Sequence, residues 1–412
     1  MRAVAGSSVL AVLLASCTTP QPRQPTVARL AALRSAVDSG AELPRPRLPA
    51  NADTNAASAY YQFAEPLVRF GQQLDTAEMA LYWASRLDPA WPDPIFARAM
   101  VLLRALQHDA FETWLKTRSI KAARHVGLTP RQVQLVDSLM RIAWARNPFL
   151  YTGLEFPQVD PRRLGDPVQG GSLAYGTRQF ARAESLFAVA LRKHPEDVGV
   201  RIYRAQALFF LGRYDSTVVE LAAARDSVRG RADVRMSAVP ISGEMFEYAI
   251  GIVRVQQDDF PAARAAFERA LTANLGFYWA HARLAGAALA LGDTATALAE
   301  LDLAVQLEDR DPVLRLYYGA VLHAARKLEP AVLQLRKAIE LDLYYAAPYY
   351  WLAAAYAAQG RRQDAIEQYR SFVARAAQTD PDRARAARAL ATLGAPLPGP
   401  AGVDSSQVPR HF

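Results

Sequence analysis

One spacing constrains this chain more than any other feature, a step of 34 residues. An alanine followed four residues later by an apolar anchor and seven later by another alanine recurs at Ala263/Phe267/Ala270, Ala297/Leu301/Ala304 and Ala331/Leu335/Ala338, 34 residues apart. One more step reaches Ala365, Tyr369 and Phe372, with the last small residue enlarged. Upstream, Ala183/Phe187/Ala190 and Thr217/Leu221/Ala224 are again 34 apart, and the 46 residues from Thr217 to Ala263 imply twelve inserted ones. Ala77/Leu81/Ala84 adds a further unit. A generic helical bundle has no reason to keep a fixed step, whereas a stack of like units, each contacting only its neighbours, does. Small residues are required where two helices cross closely, and the large one fills the space beside the crossing.

The unit Tyr349, Leu352, Ala353, Tyr356, Ala365, Tyr369 resembles the tetratricopeptide repeat (TPR), whose pattern is W-x₂-L-G-x₂-Y followed by A-x₃-F, an alanine and a proline. The resemblance implies an all-α, right-handed solenoid of helix pairs, with small residues at unit positions 8, 20 and 27 and large ones at 4, 11 and 24. The closing proline survives only at Pro89 and Pro195, and Leu275, Asp309, Leu343 and Ala377 replace it in the last four units. Units are expected at 58–91, 92–125 (degenerate), 164–197, 198–231, 244–277, 278–311, 312–345 and 346–379. Asp380, Pro381 and Gly394 predict a final helix that covers the last unit. Residues 395–412, with four prolines, are expected to be a disordered tail. Two stretches interrupt the array. Residues 126–163 hold a helix begun by the capping box Thr129-Pro130-Arg131-Gln132 and ended at Asn147-Pro148; residues 232–243 carry Pro240 and Gly243.

The N-terminus is read differently. Arg2, an apolar run from Val9 to Ala15 and Leu14-Ala15-Ser16-Cys17 resemble a bacterial lipoprotein signal, and Cys17 is the one cysteine of the chain. The resemblance implies removal of residues 1–16 and acylation of Cys17, palmitate included, with enough acyl chains on one residue for stable anchoring without a spanning helix. Thr18, rather than Asp, implies sorting to the outer membrane, periplasmic face. Residues 17–52 then read as a tether with prolines at 20, 22, 25, 44, 46 and 49 and a short helix from Val27 to Asp38. The expected domains are the N-terminal units at 53–125, the insertion at 126–163, and the array with its terminal helix at 164–394.

Composition narrows function by exclusion. Hydrophobic residues at 51% and a mean hydropathy of −0.04 fit a packed soluble body rather than a multi-span membrane protein. Only five of the 48 basic residues are Lys, so the pI of 9.6 reflects an arginine-rich usage more than phosphate recognition. The excess is local: residues 98–231 hold 21 Lys+Arg against 12 Asp+Glu, and residues 244–379 hold 14 against 16. Lys116, Arg118, Lys121, Arg124 and Arg131 lie near Trp114 with no acidic residue from Thr113 to Val136. A solvated helix face explains this run, and contact with anionic headgroups near an anchor is the sharper reading. Gly165-x₄-Gly170-Gly171-Ser172 mimics a phosphate-binding loop but has Gly171 where the Lys belongs, and reads as a loop before a helix. The six histidines show no ligand spacing, and no catalytic motif is present. No enzyme activity, cofactor, metal, small-molecule substrate or nucleic acid is expected.

Two functions compete. One is a lipid-anchored adaptor that binds envelope proteins or a peptide helix in a concave groove, similar to repeat-built lipoproteins of outer-membrane protein assembly and of pilus secretin piloting. The other is an accessory or sensor subunit of an envelope enzyme complex, with its specificity in residues 126–163. Carrying over the family rule that positions 2, 5, 9, 12 and 13 of each first helix line the groove yields Met245, Tyr248, Ile252, Trp279, Leu316, His323 and Tyr350 as candidate contacts.

Overall fold

A computed structural model describes residues 26–151, 165–229, 235–236, 239–240 and 242–395. The signal, Cys17 and the tail beyond 395 lie outside the described residues. An N-terminal block holds α1 (Thr26–Asp38), the hairpin α2 (Ala57–Phe70) and α3 (Leu74–Leu87), the 26-residue α4 (Pro92–Thr117), the short α5 (Ile120–Arg124) and α6 (Pro130–Arg146). Six hairpins follow: α7 (Pro167–Gly176) with α8 (Phe180–Lys193), α9 (Val198–Phe210) with α10 (Tyr214–Val228), α11 (Gly243–Gln256) with α12 (Phe260–Ala273), α13 (Tyr278–Ala290) with α14 (Thr294–Leu307), α15 (Pro312–Ala324) with α16 (Leu328–Leu341), and α17 (Ala347–Ala358) with α18 (Arg362–Arg375). The terminal helix is α19 (Asp382–Thr392), one residue later than expected, with Asp380 Oδ1 accepting from Asp382 N at 2.8 Å. The chain is an all-α solenoid of helix pairs in the register expected from the repeat. Among the described residues the one break from helical structure is β1 (Arg235–Met236), antiparallel to β2 (Val239–Pro240), inside the second interruption.

The periodic residues hold the hairpins together. All seven triplets from Ala77/Leu81/Ala84 to Ala365/Tyr369/Phe372 are buried. The crossing is so close that a Cβ at Gly171 would lie 2.6 Å from the Phe187 ring, one at Gly319 2.6 Å from Leu335, and one at Gly251 would clash still more closely with the Phe267 ring. Gly170 and Gly171 therefore sit within α7, not in a loop before it, and Gly171 serves the crossing. The turn inside each of the six hairpins needs one left-handed residue, met by Arg178, Gly212, Asp258, Gly292, Arg326 and Gly360 at φ from 56 to 79°.

A second periodic device is polar. At unit position 4, Arg201, His281 and Arg315 each bond the carbonyl six residues earlier, in the turn from the preceding unit, at 2.7–3.3 Å for the best contact (Pro195, Leu275, Asp309). Each also reaches a polar side chain nineteen residues later: Arg201 to Glu220, His281 to Glu300, Arg315 to Gln334, at 3.1, 2.6 and 2.7 Å. Tyr349 repeats the first half, donating to the Leu343 carbonyl at 3.1 Å. Position 4 was expected to fill space; in these four units it ties the unit to the turn before it, whereas Glu247 at the same position pairs with Arg225 and Arg269.

Residues 26–52 belong to the body rather than to a tether. Thr26 N and Val27 N donate to the two carboxylate oxygens of Asp109 at 2.9 and 2.8 Å, so α4 caps the start of α1. Leu30 is fully buried, Arg34 pairs with the buried Glu78 at 2.9 Å, and Glu78 also accepts from Arg98 at 3.0 Å. The second proline run is extended but packed, because Leu43 is buried and its carbonyl accepts from Trp83 Nε1 at 2.9 Å. The expected unit at 92–125 is not a hairpin: α4 runs unbroken through most of it.

Candidate functional site

The chain itself covers the first of the carried-over groove positions. The helix α6 begins at the expected capping box and ends at Asn147, so that residues 144–149 are carried into the array. There the Tyr248 hydroxyl donates to the Ala145 carbonyl, and Trp144 meets the Tyr248 ring at 5.6 Å. Arg283 Nη2 donates to the Arg146 carbonyl at 2.8 Å, capping the end of α6 with a cation. Arg146 pairs with Asp311 at 3.3 Å, both side chains over nine-tenths buried, with its guanidinium 5.7 Å from the Trp279 ring. Phe149 stacks on Phe209 at 3.8 Å between centroids.

Burial has the expected electrostatic effect. It raises the pKa of the Tyr248 phenol against the pull of Arg283, and pushes Tyr278 up to about 12 with Asp311 and Glu308 nearby. Tyr345, buried beside Asp88, Arg146 and Asp311, is raised further. The raised values keep all three phenols protonated, and that of Tyr248 donates to the Ala145 carbonyl.

The seven candidate residues divide accordingly. Tyr248 is 0% and Trp279 6% exposed, so neither is open to a partner. Met245 faces an apolar cavity of about 40 Å³ walled by Trp144, Pro148 and Phe149, and Ile252 packs half-buried on the same core. Leu316, His323 and Tyr350 are half-buried. His323 is 5.8 Å from the Trp351 ring, and burial lowers its pKa. Tyr350 packs edge-on against Phe372 at 5.4 Å and lies near Asp382 and Arg385 of α19. The structure thus separates candidates that the chain itself covers from candidates that stay partly exposed.

The two ends of the array also meet. Arg86 pairs with Asp342 at 2.7 Å, Trp83 packs edge-on against Tyr344 at 4.8 Å, and Tyr344 donates to Glu42 at 2.9 Å. Asp53 accepts from Gln378 N at 2.6 Å and Asn55 donates to the Ala374 carbonyl at 3.0 Å. No signal in the 34-residue step announces these contacts, since they join residues more than 250 apart.

Among the described residues no group of His, Cys, Asp and Glu could hold a metal ion, and no helix is long and apolar enough to cross a membrane. No family model and no curated protein matches the sequence. Solved structures do resemble the fold. YrrB, described as a TPR protein with an unusual peptide-binding site, aligns over 49% of this chain and 96% of its own at 23% identity and a TM-score of 0.39. A thermophilic TPR protein of Thermus thermophilus aligns over 45% and 95% at 21% identity and 0.34. The C-terminal part of a TPR repeat-containing protein of Cytophaga hutchinsonii aligns over 55% and 83% at 14% identity and 0.43.

Proposed function

We propose that the chain is a lipid-anchored scaffold of the bacterial envelope, held by acylated Cys17 at the periplasmic face of the outer membrane, whose array binds protein partners. The observation that carries the binding half is the occupied groove. An inner face that seats Trp144 to Phe149 through aromatic contacts, a carbonyl-capping Arg283 and the Asp311 carboxylate has the chemistry to seat a helix end. A partner helix takes the continuation of that face, at Leu316, His323 and Tyr350, where apolar and aromatic side chains stay partly exposed. The anchor rests on Leu14-Ala15-Ser16-Cys17 alone.

Photo-crosslinking residues placed singly at positions 248, 279, 323 and 350 of the full chain test this. Partner adducts are expected from 323 and 350 and not from 248 or 279. No adducts from 323 or 350, or unimpaired capture by a folded Leu316→Glu, Tyr350→Ala variant, would remove this face as the binding site. Trp279→Ala is not a test of partner binding, because Trp279 supports the chain's own segment.

A further inference from the structure

Among the described residues the end of α4 stands out from the other helix ends. Its last buried residue is Asp109, two turns before the helix stops at Thr117, and α5 has no buried residue at all. The protruding stretch nevertheless carries Phe111, Leu115 and Ile120 at 56, 37 and 62% exposure, with Trp114 stacked on Phe111 at 5.9 Å. Around this apolar ridge stand Lys116, Arg118, Lys121 and Arg124, all exposed. The one acidic side chain beyond Asp109 on this stretch is Glu112, 3.8 Å from Lys116; Asp109 itself is engaged by the start of α1. Isolated exposed apolar residues need no explanation, but an aromatic and aliphatic ridge fringed by cations is the composition of a surface that lies in a lipid interface.

The place of this ridge decides between possible occupants. Asp109 fixes the first residue of α1 one turn from Phe111, and Thr26, Val27 and Arg29 share with Glu112, Thr113 and Lys116 the walls of a cleft of about 1210 Å³. Because residues 26–52 are packed on the body, only the nine steps from Cys17 to Thr26 separate an acyl-carrying cysteine from the protrusion, at most about 30 Å of chain. An anchor at Cys17 therefore brings the ridge, and not the neutral-to-acidic units of residues 244–379, to the bilayer. We propose that residues 111–124 form a peripheral contact with an anionic bilayer, Phe111, Leu115 and Ile120 entering the interface while Lys116, Arg118, Lys121 and Arg124 meet the headgroups. This orients the scaffold relative to the membrane, and it rests on the anchor reading for its location but not for its chemistry.

The full chain carrying Cys17→Ser, which has no thiol to acylate, separates the two readings. It should co-sediment with vesicles containing phosphatidylglycerol, bind phosphatidylcholine vesicles far more weakly, and be released by high salt. Lys116→Glu with Lys121→Glu should cut binding by about a hundredfold or more. Phe111→Ser with Ile120→Ser should cut it by about tenfold or more, with the thermal melt of both variants unchanged since all four side chains are exposed. No binding to phosphatidylglycerol vesicles, equal binding to both lipid types, or indifference to the charge reversal would each overturn the proposal. Acylation is read independently by mass spectrometry of the wild-type chain, so that a missing anchor and a missing patch give different results.

Discussion

The array from α11 to α18 and the N-terminal block from α1 to α6 are both helical, yet they are held by different means. In the array each hairpin repeats one crossing, a small residue against a large one sixteen positions later, as in Gly251 with Phe267, Ala285 with Leu301 and Gly319 with Leu335. Its hairpins pack mainly on their sequence neighbours, and its polar residues recur with the same step. In the block a single long helix replaces a hairpin, and the pieces laid on it are tied by bonds that occur once. Arg34 with Glu78 and Arg98, Asp109 with the start of α1, and Arg86 with Asp342 are of this kind. Repetition makes the array redundant, and single ties make the block dependent on individual side chains. The block is also the part that fills the groove and presents the exposed cationic ridge.

The comparison is broken most severely at Glu78. Glu78→Ala strips the partner from Arg34, whose guanidinium burial already disfavours, and should cost about 3–5 kcal/mol in urea unfolding. A loss under about 1 kcal/mol would show that the block does not hang on this pair. Next is Gly251→Ala, which pushes a methyl into Phe267 and should cost about 1–3 kcal/mol. Adding Phe267→Leu should restore most of it, since Ala285 and Leu301 already coexist in the following unit. Failure of the rescue would mean that the crossings are not interchangeable. A gain is expected from Arg326→Gly, which relieves a left-handed backbone at φ 60° and should stabilise by about 1 kcal/mol.

The smallest effect is a pH slope at His281. Burial opposes its imidazolium, but the Glu300 carboxylate and the Leu275 carbonyl outweigh burial and raise its pKa above 6.5. A raised folded value means that the contribution is complete below the unfolded value and is lost as pH rises through the folded one. Between pH 5.5 and 8.5 the wild-type melting temperature should therefore fall relative to that of His281→Gln. Parallel profiles would show that the staple does not titrate.

The fold was legible because the crossing imposes a composition at fixed spacing, and the Thr129 and Asp380 caps because their bonds are local. What was not legible depends on contacts far apart in sequence. Tyr248 and Trp279 are buried, and the residues that cover them come from α6, 103 residues before Tyr248 in one bond and 165 before Asp311 in another. Proline spacing marks 44–49 as extended without revealing that Leu43 packs against Trp83. The polar staple did leave a signal: Arg201, His281 and Arg315 stand where the repeat pattern has a large apolar residue.

The claim on which the functional account turns is that residues 144–149 occupy the groove between α11 and α13. Hydroxyl-radical footprinting of the full chain measures it directly at Tyr248 and Trp279. The account predicts protection of both at the level of the core residue Tyr60, and a sharp rise in their oxidation when Trp144→Gly and Arg146→Asp are combined, with helical content retained. Rapid oxidation of Tyr248 and Trp279 in the wild-type chain, or no change in the double variant, would contradict it.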